Sequence, residues 1–540
     1  MKSMSDQVAN ILRRYQDSKA RRSPWVSVWR DLADYVQPIK DHIGTSTQST
    51  PDIGRHSHFD STAQEANLTY ASGCMEWLTP ADRPWFQLTP PRYLEDSDNC
   101  KKWLSDCTEE MQAEMMASNF YGEVHEGYLD DGAFGTTALY VEEDQGLRFE
   151  TFECGDFTIL EDHRGQVDTI FRELKLTPRQ AAVKFGKENL HENMRAFFDN
   201  TDKKLDQQFE FIHAIYPREE EYRETGKLDG ENMPIASCYI DQTYKHKVKE
   251  SGMWEMPVAC HRHLKWGKSP YGFAPSWNAL TNARQVNMLQ MNLDVLAEVA
   301  AFPRIAAPSK LKGEIDLRAK GVTFVEDMAQ APREFATGGR YDIGKDRVAE
   351  KQDAINRAFH VPLFNMFREI PVNREMTATE VTARMNDKLT LFSPTFARKI
   401  TEYHTPTILR VFSIMLRGGA FAQIPAEMQS LMPNGMINVV DPQVRYSSRL
   451  ALAMEQLHAT GFAATLGTYG QIFEYRPELL DNYDLDVAMR DAARSQGVKE
   501  NWIMPEAERD EMRQARAEMV EQQQQEQQLM AEAELAVKAQ

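Results

Sequence analysis

The spacing of apolar residues changes period twice along this chain, and that change restricts the fold more than any other feature. Up to about residue 119 apolar positions recur at helical spacing, between Thr136 and Trp266 they alternate, and after Pro275 helical spacing returns. One element cannot satisfy both periods, because helical side chains share a face every three or four residues and strand side chains every two. The chain therefore reads as α+β, with a strand-rich block between helical ones. At roughly 150 residues per domain, its 540 residues suggest three or four domains, or two large ones.

Within the first helical block, Val8, Ile11, Leu12 and Tyr15 form one stripe. Ser23-Pro24 reads as the cap and first residue of a second helix carrying Trp25, Val28, Trp29, Leu32, Tyr35 and Val36. Residues 41–57 read as a loop, and Thr62-Ala63-Gln64-Glu65 as a capping box opening a helix to about Trp77. A further helix over 98–119 places Leu104, Cys107, Met111 and Met115 on one face. Strands are expected at 136–142, 147–150, 157–161, 167–173, 209–216, 235–241 and 256–264, with one helix between Thr177-Pro178 and Gly186.

In the second helical block, Leu289, Leu293, Leu296 and Ala300 mark a helix that Pro303 ends, and Val348, Gln352, Ile355 and Phe359 mark another. Thr377-Ala378-Thr379-Glu380 opens the longest helical pattern, in which Pro394 and Pro406 predict kinks. Residues 505–540 hold nine acids, four bases and eight glutamines, the composition of a polar or frayed helix.

Composition limits function. Hydrophobic residues at 42% and charged residues at 26% are ordinary for a globular core. With 62 basic and 81 acidic residues the net charge is −19, which excludes a protein that coats nucleic acid electrostatically but not one that encloses it. No run approaches the ~18 apolar residues of a membrane helix, so no membrane insertion is expected. The six cysteines lack CxxC spacing, the usage of a reduced, cytoplasmic chain.

Catalytic and metal signatures fail on spacing. Gly267-Lys268-Ser269 lacks the upstream glycine of a phosphate loop, since position 262 is Arg. His261 and His263 share a strand face, but no second cluster is spaced to complete a zinc site, so satisfied histidines are the expectation. His125-Glu126 and His191-Glu192 are followed by Leu129 and Arg195 where a zinc-protease helix needs histidine. Asp130-Asp131 reads as a chance pair on a solvated face. No catalytic residue, cofactor or metal ligand is assigned, and the chain is not expected to be an enzyme.

Five segments, in order, carry a resemblance. They are Phe59-Asp60-Ser61-Thr62-Ala63 running on to Arg83-Pro84-Trp85-Phe86, then Asp131-Gly132-Ala133-Phe134-Gly135-Thr136-Thr137, then Pro270-Tyr271-Gly272-Phe273-Ala274-Pro275-Ser276, then Met376-Thr377-Ala378-Thr379-Glu380-Val381, and finally Tyr446-Ser447-Ser448. Together they resemble the bacteriophage head-to-tail connecting proteins, the portal proteins of short-tailed phages. The resemblance departs at Lys268-Ser269 and after residue 505.

The resemblance implies a portal-type fold and a homo-oligomeric ring, usually of twelve subunits, at one capsid vertex of the virion. It would be assembled in the host cytoplasm, with double-stranded DNA passing through its channel during packaging and ejection. Implied partners are the major capsid protein, the terminase large subunit, a tail adaptor protein and internal core proteins. The implied map is a mixed α/β wing over 1–274, stem helices over 275–303 and 340–360, and a small α/β clip over 304–339. A tunnel loop over 361–376, a kinked helix returning to the wing over 377–439 and a mostly helical crown with tail over 440–540 complete it. Val361, Leu363, Phe364, Arg368 and Arg374 would line the tunnel loop, the first three as an apolar collar. Lys310, Lys312 and Lys320 would contact DNA or terminase from the clip. Arg83, Pro84, Trp85, Phe86, Gly135, Thr136, Thr377 and Glu380 would be structural, with Trp85 and Phe86 anchoring a loop on the core. The alternative is a phage adaptor or scaffold without a DNA channel.

The tail composition yields one expectation. Residues 505–540 have few apolar positions, so a chain truncated after Met504 should still form the same oligomer by light scattering; failure to oligomerise would make the tail a core element.

Overall fold

The computed structural model describes residues 4–40, 43, 58–95, 97–143, 146–199, 206–219, 227, 229–302, 305–307, 309, 327, 329, 331, 333–334, 341–365, 394–431, 437–447, 484–495, 502–504 and 506–538. In chain order it begins with helix α1 (Met4–Val36), α2 (Thr62–Leu78), strand β1 (Phe86–Thr89), α3 (Asp98–Ala117) and α4 (Phe120–Phe134). Strands β2 (Thr136–Glu143), β3 (Leu147–Phe152), β4 (Phe157–Glu161) and β5 (Val167–Leu176) follow, then α5 (Pro178–Phe185) and α6 (Glu192–Asp199). Next come β6 (Phe209–Pro217), β7 (Ile235–Asp241), β8 (His246–Met253) and β9 (Val258–Arg262). Long helices α7 (Pro275–Ala301) and α8 (Tyr341–Ala358) flank the short pair β10 (Ile305–Ala306) and β11 (Arg333–Glu334), and α9 (Val361–Phe364) is one turn. Beyond these lie α10 (Thr405–Arg417), β12 (Gln429–Leu431), β13 (Ile437–Val439), β14 (Gln443–Tyr446), α11 (Leu485–Ser495) and α12 (Glu506–Lys538). The fold is α+β.

The chain forms two compact units, Met1–Met75 with Asn119–Thr407, and Glu76–Ser118 with Ile408–Gln540. The first is built on two antiparallel sheets, β3-β2-β9 and β4-β5-β6-β7-β8. The five-stranded sheet is covered on both faces. Val8, Ile11, Leu12 and Tyr15 of α1 pack on Phe171, Ile212, Ala214 and Ile240. On the other face, Phe185, Met194 and Phe197 of α5 and α6 meet Phe209, Phe211 and Tyr239. Adjacent residues such as Phe211 and Ile212 face opposite helices, as the two-residue period requires. The expected helix after Thr177 is α5, and it opens on a capping box: Thr177 accepts from Gln180 N and the Gln180 side chain accepts from Thr177 N.

In the second unit β1 pairs with β14, Phe86 opposite Tyr446. Helix α3 holds this pair: Thr108 Oγ1 accepts from Leu88 N, and Gln112 donates to Phe86 O. Trp103 packs on Phe412 and Phe421 and donates to Ala422 O. Residues 76–118 thus belong with the chain after 408, which divides the segment 1–274 read from sequence as one body.

Three local expectations are corrected. Residues 4–36 form one helix with Pro24 inside it, not two helices. Ser23 and Pro24 are exposed, as is Ala20, whose carbonyl the proline leaves without its helical donor. Around them, Arg22 donates to Phe157 O and Trp25 packs among Tyr271, Phe273 and Trp277, holding the axis through the proline. At Pro406 the kink takes the form of a π-helical turn, Ile400–His404, which absorbs the missing N–H by widening the preceding turn. The start of α2 is capped one or two residues earlier than expected, since Thr62 N donates to Asp60 Oδ1 and Ser61 bonds Glu65. Strand β8 and helix α6 were not expected from sequence: β8, HKVKESGM, is an edge strand without an apolar alternation to mark it.

Gly135 ends α4 in the left-handed region at φ 75° and lets the backbone turn directly into β2. A side chain there would run into Gly272, Phe273 and Ala274. Gly135→Ala should therefore destabilise the first unit by at least about 2 kcal/mol, from left-handed strain plus the clash, measured as a lowered thermal midpoint. A melt unchanged within error would refute the tight approach.

Candidate functional site

Helices α7 and α8 form an antiparallel hairpin. Asn287 and Gln352 are bridged through Phe59 and Asp60, while Leu293 lies against Gly344, so residue numbers rise on one helix as they fall on the other. The inner face of α7 buries Ala279, Ala283, Val286 and Leu293, and α8 buries Val348 and Ile355. On the opposite side of α7, Met288, Met291, Val295 and Phe302 are 66%, 45%, 49% and 80% exposed. A helix with two apolar faces satisfies only one of them inside this chain.

The hairpin's base rests on a buried ionic junction. Asp131, at the end of α4, is fully buried and its Oδ2 accepts from Lys399 Nζ at 2.7 Å and Tyr70 Oη at 2.6 Å. His263 Nδ1 lies 3.2 Å from Oδ2, and His261 Nε2 lies 3.2 Å from Oδ1. Lys399 is also fully buried, with Cys74 Sγ 3.8 Å away and the Tyr128 ring under its ammonium at 4.8 Å. Burial would raise the Asp131 carboxyl, but Lys399 and the two imidazoles outweigh it and hold it well below the carboxylate range. Burial would likewise lower Lys399, and Asp131 keeps it above the ordinary lysine value. A second buried pair adjoins it: Lys40 Nζ meets both Asp130 oxygens at 2.9 Å. Beside the junction, Arg262 binds Glu161 and, at 2.7 Å, Glu402 of the π-turn.

Asp131, His261 and His263 place one ligand atom each within 4.8 Å of one another, the donor set of a metal site. Lys399 already supplies the cation, bonded to the trio's one carboxylate, so a metal ion would have to displace an ammonium. The residues present fit a lysine-centred ion pair better than a metal. The solvated-face reading of Asp130-Asp131 is wrong: both are fully buried, each against a lysine brought from another helical segment. Position 131 lies in one of the family-like segments, and Lys399 sits between Phe396 and Tyr403 on a buried stripe. A charge on an apolar stripe was the one available signal of a buried pair.

The structure disperses the other residues named from sequence. Trp85 and Phe86 are buried, their rings 4.7 Å apart, with Trp85 O accepting from Ser447 N, Pro84 O accepting from Ser447 Oγ and Arg83 bonded to Glu76. Thr136 Oγ1 accepts from Gly272 N and Ser276 donates to Ala133 O, joining two of the family-like segments. Val361 begins a helical turn where a loop was expected, and Pro362 at its second position suits a helix start. Leu363 is buried, and the Phe364 ring lies on Gly73 and 6.1 Å from Tyr70. Within the chain these two are packed side chains, not an exposed collar. Lys310, Lys312, Lys320, Arg368, Arg374, Thr377 and Glu380 lie outside the described residues. Gly267-Lys268-Ser269 forms a turn, and all six cysteines are buried and unbridged. Among the described residues no helix is long and apolar enough to cross a membrane.

Residues 8–504 match the family model described as bacteriophage head to tail connecting protein. The portal protein of Salmonella phage epsilon15 is 29% identical over 522 residues, covering 95% of this chain and 91% of that protein. The probable portal protein of Bordetella phage BPP-1 is 28% identical over 512 residues, covering 92% of this chain and 88% of that one.

Lys399→Met should cost about 3–5 kcal/mol by stranding a buried carboxylate, and Asp131→Asn in the same chain should recover much of it, read from thermal melts of all three variants. Acid should act through the buried histidines. His213, His261 and His404 are held below the ordinary imidazole value by burial, so they are neutral when folded and gain protons on unfolding. Their contribution is present above about pH 6.5 and is lost as pH falls; Asp131 acts in the same sense at lower pH. Asp130, which burial lifts to about 6 despite Lys40, acts oppositely as a single group. The melting temperature should hold from pH 8 to 7 and decline below about 6.5; a midpoint that rises on acidification would contradict the assignment.

Proposed function

This chain belongs to the bacteriophage head-to-tail connecting protein family, and from that premise we propose that it is a portal protein. Copies of it form a ring at one vertex of the capsid, and the ring's axial channel passes the genome inward during packaging and outward during ejection. The observation that carries the reading is the second apolar face of α7. Met288, Met291, Val295 and Phe302 lie on the side of the helix opposite Val286 and Leu293. An exposed stripe of this kind on a long helix calls for a partner. The neighbouring copy's hairpin supplies one, in a head-to-tail contact that closes into a ring.

The same hairpin suits DNA passage. Helices α7 and α8 together carry six carboxylates and five cationic side chains. Tight binding through counterion release needs several unopposed cations. A nearly neutral, slightly acidic surface on a chain of net charge −19 lets a duplex slide.

In this reading α7 and α8 are the stem, residues 304–339 the clip and 440–540 the crown. The segment following Phe364 faces the channel axis, with Arg368 and Arg374 as its cations. Lys310, Lys312 and Lys320 of the clip meet DNA or the terminase large subunit. The capsid protein, a tail adaptor and internal core proteins contact other parts of the ring in the virion, which is assembled in the host cytoplasm. The role is structural, not enzymatic.

Electron microscopy of the purified chain tests this directly: rings with an open axial channel support a portal, whereas rods or monomers support an adaptor. Twelve copies of a 62.0 kDa chain come to 12 × 62.0 = 744 kDa. Met291→Asp with Val295→Asp should abolish that species in light scattering while leaving the monomer's melt within a few degrees of wild type. Rings that persist with both charges in place would remove α7's outer face from the subunit interface.

A further inference from the structure

Phe59, Asp60 and Ser61 start α2, and they also hold the hairpin. The Phe59 N–H donates to Asn287 Oδ1 of α7 at 2.7 Å. Asp60 divides its two oxygens, Oδ1 accepting from Thr62 N at 3.0 Å and Oδ2 accepting from Gln352 Nε2 of α8 at 2.7 Å. Further along, α2 meets the short helix α9 that follows α8, where the Phe364 ring lies on Gly73. The residues leading into α2 thus bond to both hairpin helices, and α2 itself packs on the turn beyond α8.

The contacts divide the hairpin at Asn287 and Gln352. Below them α7 buries Ala279, Ala283 and Val286, and α8 buries Ile355, with Phe359 following. Beyond them the exposed residues concentrate: Met288, Met291, Val295 and Phe302 on α7, Tyr341 and Ile343 on α8. Among the described residues, Val348 and Leu293 are the buried apolar side chains of the two helices in that outer half. Helices with a third partner resist bending, and a two-helix segment with few buried contacts does not.

We infer that Asp60, Asn287 and Gln352 form a clasp that fixes the base of the hairpin and acts as the fulcrum about which its outer half tilts, setting the channel's width as DNA passes. The three are positioning residues, and the last clause rests on the portal reading; the clasp itself does not. Its polarity makes it testable by reversal. Asp60 accepts and Gln352 donates, so Gln352→Glu alone sets two carboxylates facing each other, whereas after Asp60→Asn the Gln352 amide can turn over and accept. Combining Asp60→Asn with Gln352→Glu exchanges the roles. The amide introduced at position 60 then donates to the carboxylate introduced at position 352, while the amide oxygen still caps Thr62.

The experiment is hydrogen exchange on the full-length assembled protein, with retention of packaged DNA measured in heads carrying each variant. In wild type, amides of 353–359 and 279–287 should be protected at least tenfold more than those of 289–301 and 342–351. Gln352→Glu should bring the base toward the outer half's exchange rate, and Asp60→Asn added to it should restore protection. Equal protection along the whole hairpin, or a Gln352→Glu variant that exchanges like wild type, would overturn the clasp. If exchange responds as expected but all variants retain DNA equally, the clasp stands and its role in passage is refuted. If the protein forms no ring yet the exchange pattern follows the reversal, the portal reading fails and the clasp survives.

Discussion

The first unit is organised around one buried ion pair. Asp131 and Lys399 are both fully buried and 268 positions apart, and neither is tolerable in the interior without the other. Forming the pair brings the end of α4 against the π-turn region before α10. His261 and His263 on β9 and the turn after it, with Tyr70 on α2, complete the carboxylate's shell. Four separate stretches of chain are thereby tied to a single carboxylate. Burial gives the tie its specificity, because a charge left unmatched in that interior costs far more than one left unmatched in water.

The junction explains why the chain uses a π-turn there. Widening the turn at Ile400–His404 accommodates Pro406 and also aims consecutive side chains into the protein. Glu402 meets Arg262, Tyr403 lies by His261, and His404 Nε2 lies 3.2 Å from the Tyr128 hydroxyl. A regular helix would turn part of that set toward solvent. The same logic applies at Gly135, where a left-handed residue lets Thr136 receive Gly272 and lets the Pro270–Ser276 segment close on the end of α4. Among the described residues, the Asp131–Thr137 and Pro270–Ser276 segments of the family resemblance thus meet in space, which gives them a packing role.

The contacts of the α7–α8 hairpin are graded along its length, with buried packing concentrated on the side of Asn287 and Gln352 nearer its base. Its base is held by the residues that lead into α2, and its outer half carries five carboxylates against three cations. The apolar stripe left over on α7 is the surface a monomer has no use for.

Periodicity and punctuation in the sequence determined the element types, because side-chain spacing and proline or glycine placement act locally. The alternation from Thr136, the helix after Thr177, the long helices α7 and α8 and the burial of Trp85 and Phe86 were all legible in this way. The ordered family-like segments made the family legible too. Local signals misled where a distant contact outweighed them: Pro24 did not break α1, and Leu363 is buried while the half-buried Phe364 ring packs on Gly73. Edge strand β8 carried no apolar alternation, so nothing local marked it. Asp130 and Asp131 were invisible as buried charges because their lysines lie 90 and 268 positions away, and a charge announces its burial only through its partner. Sequence set what each segment is; the tertiary structure alone decided which charges meet, because pairing in a low-dielectric interior depends on distance in space and not on distance along the chain.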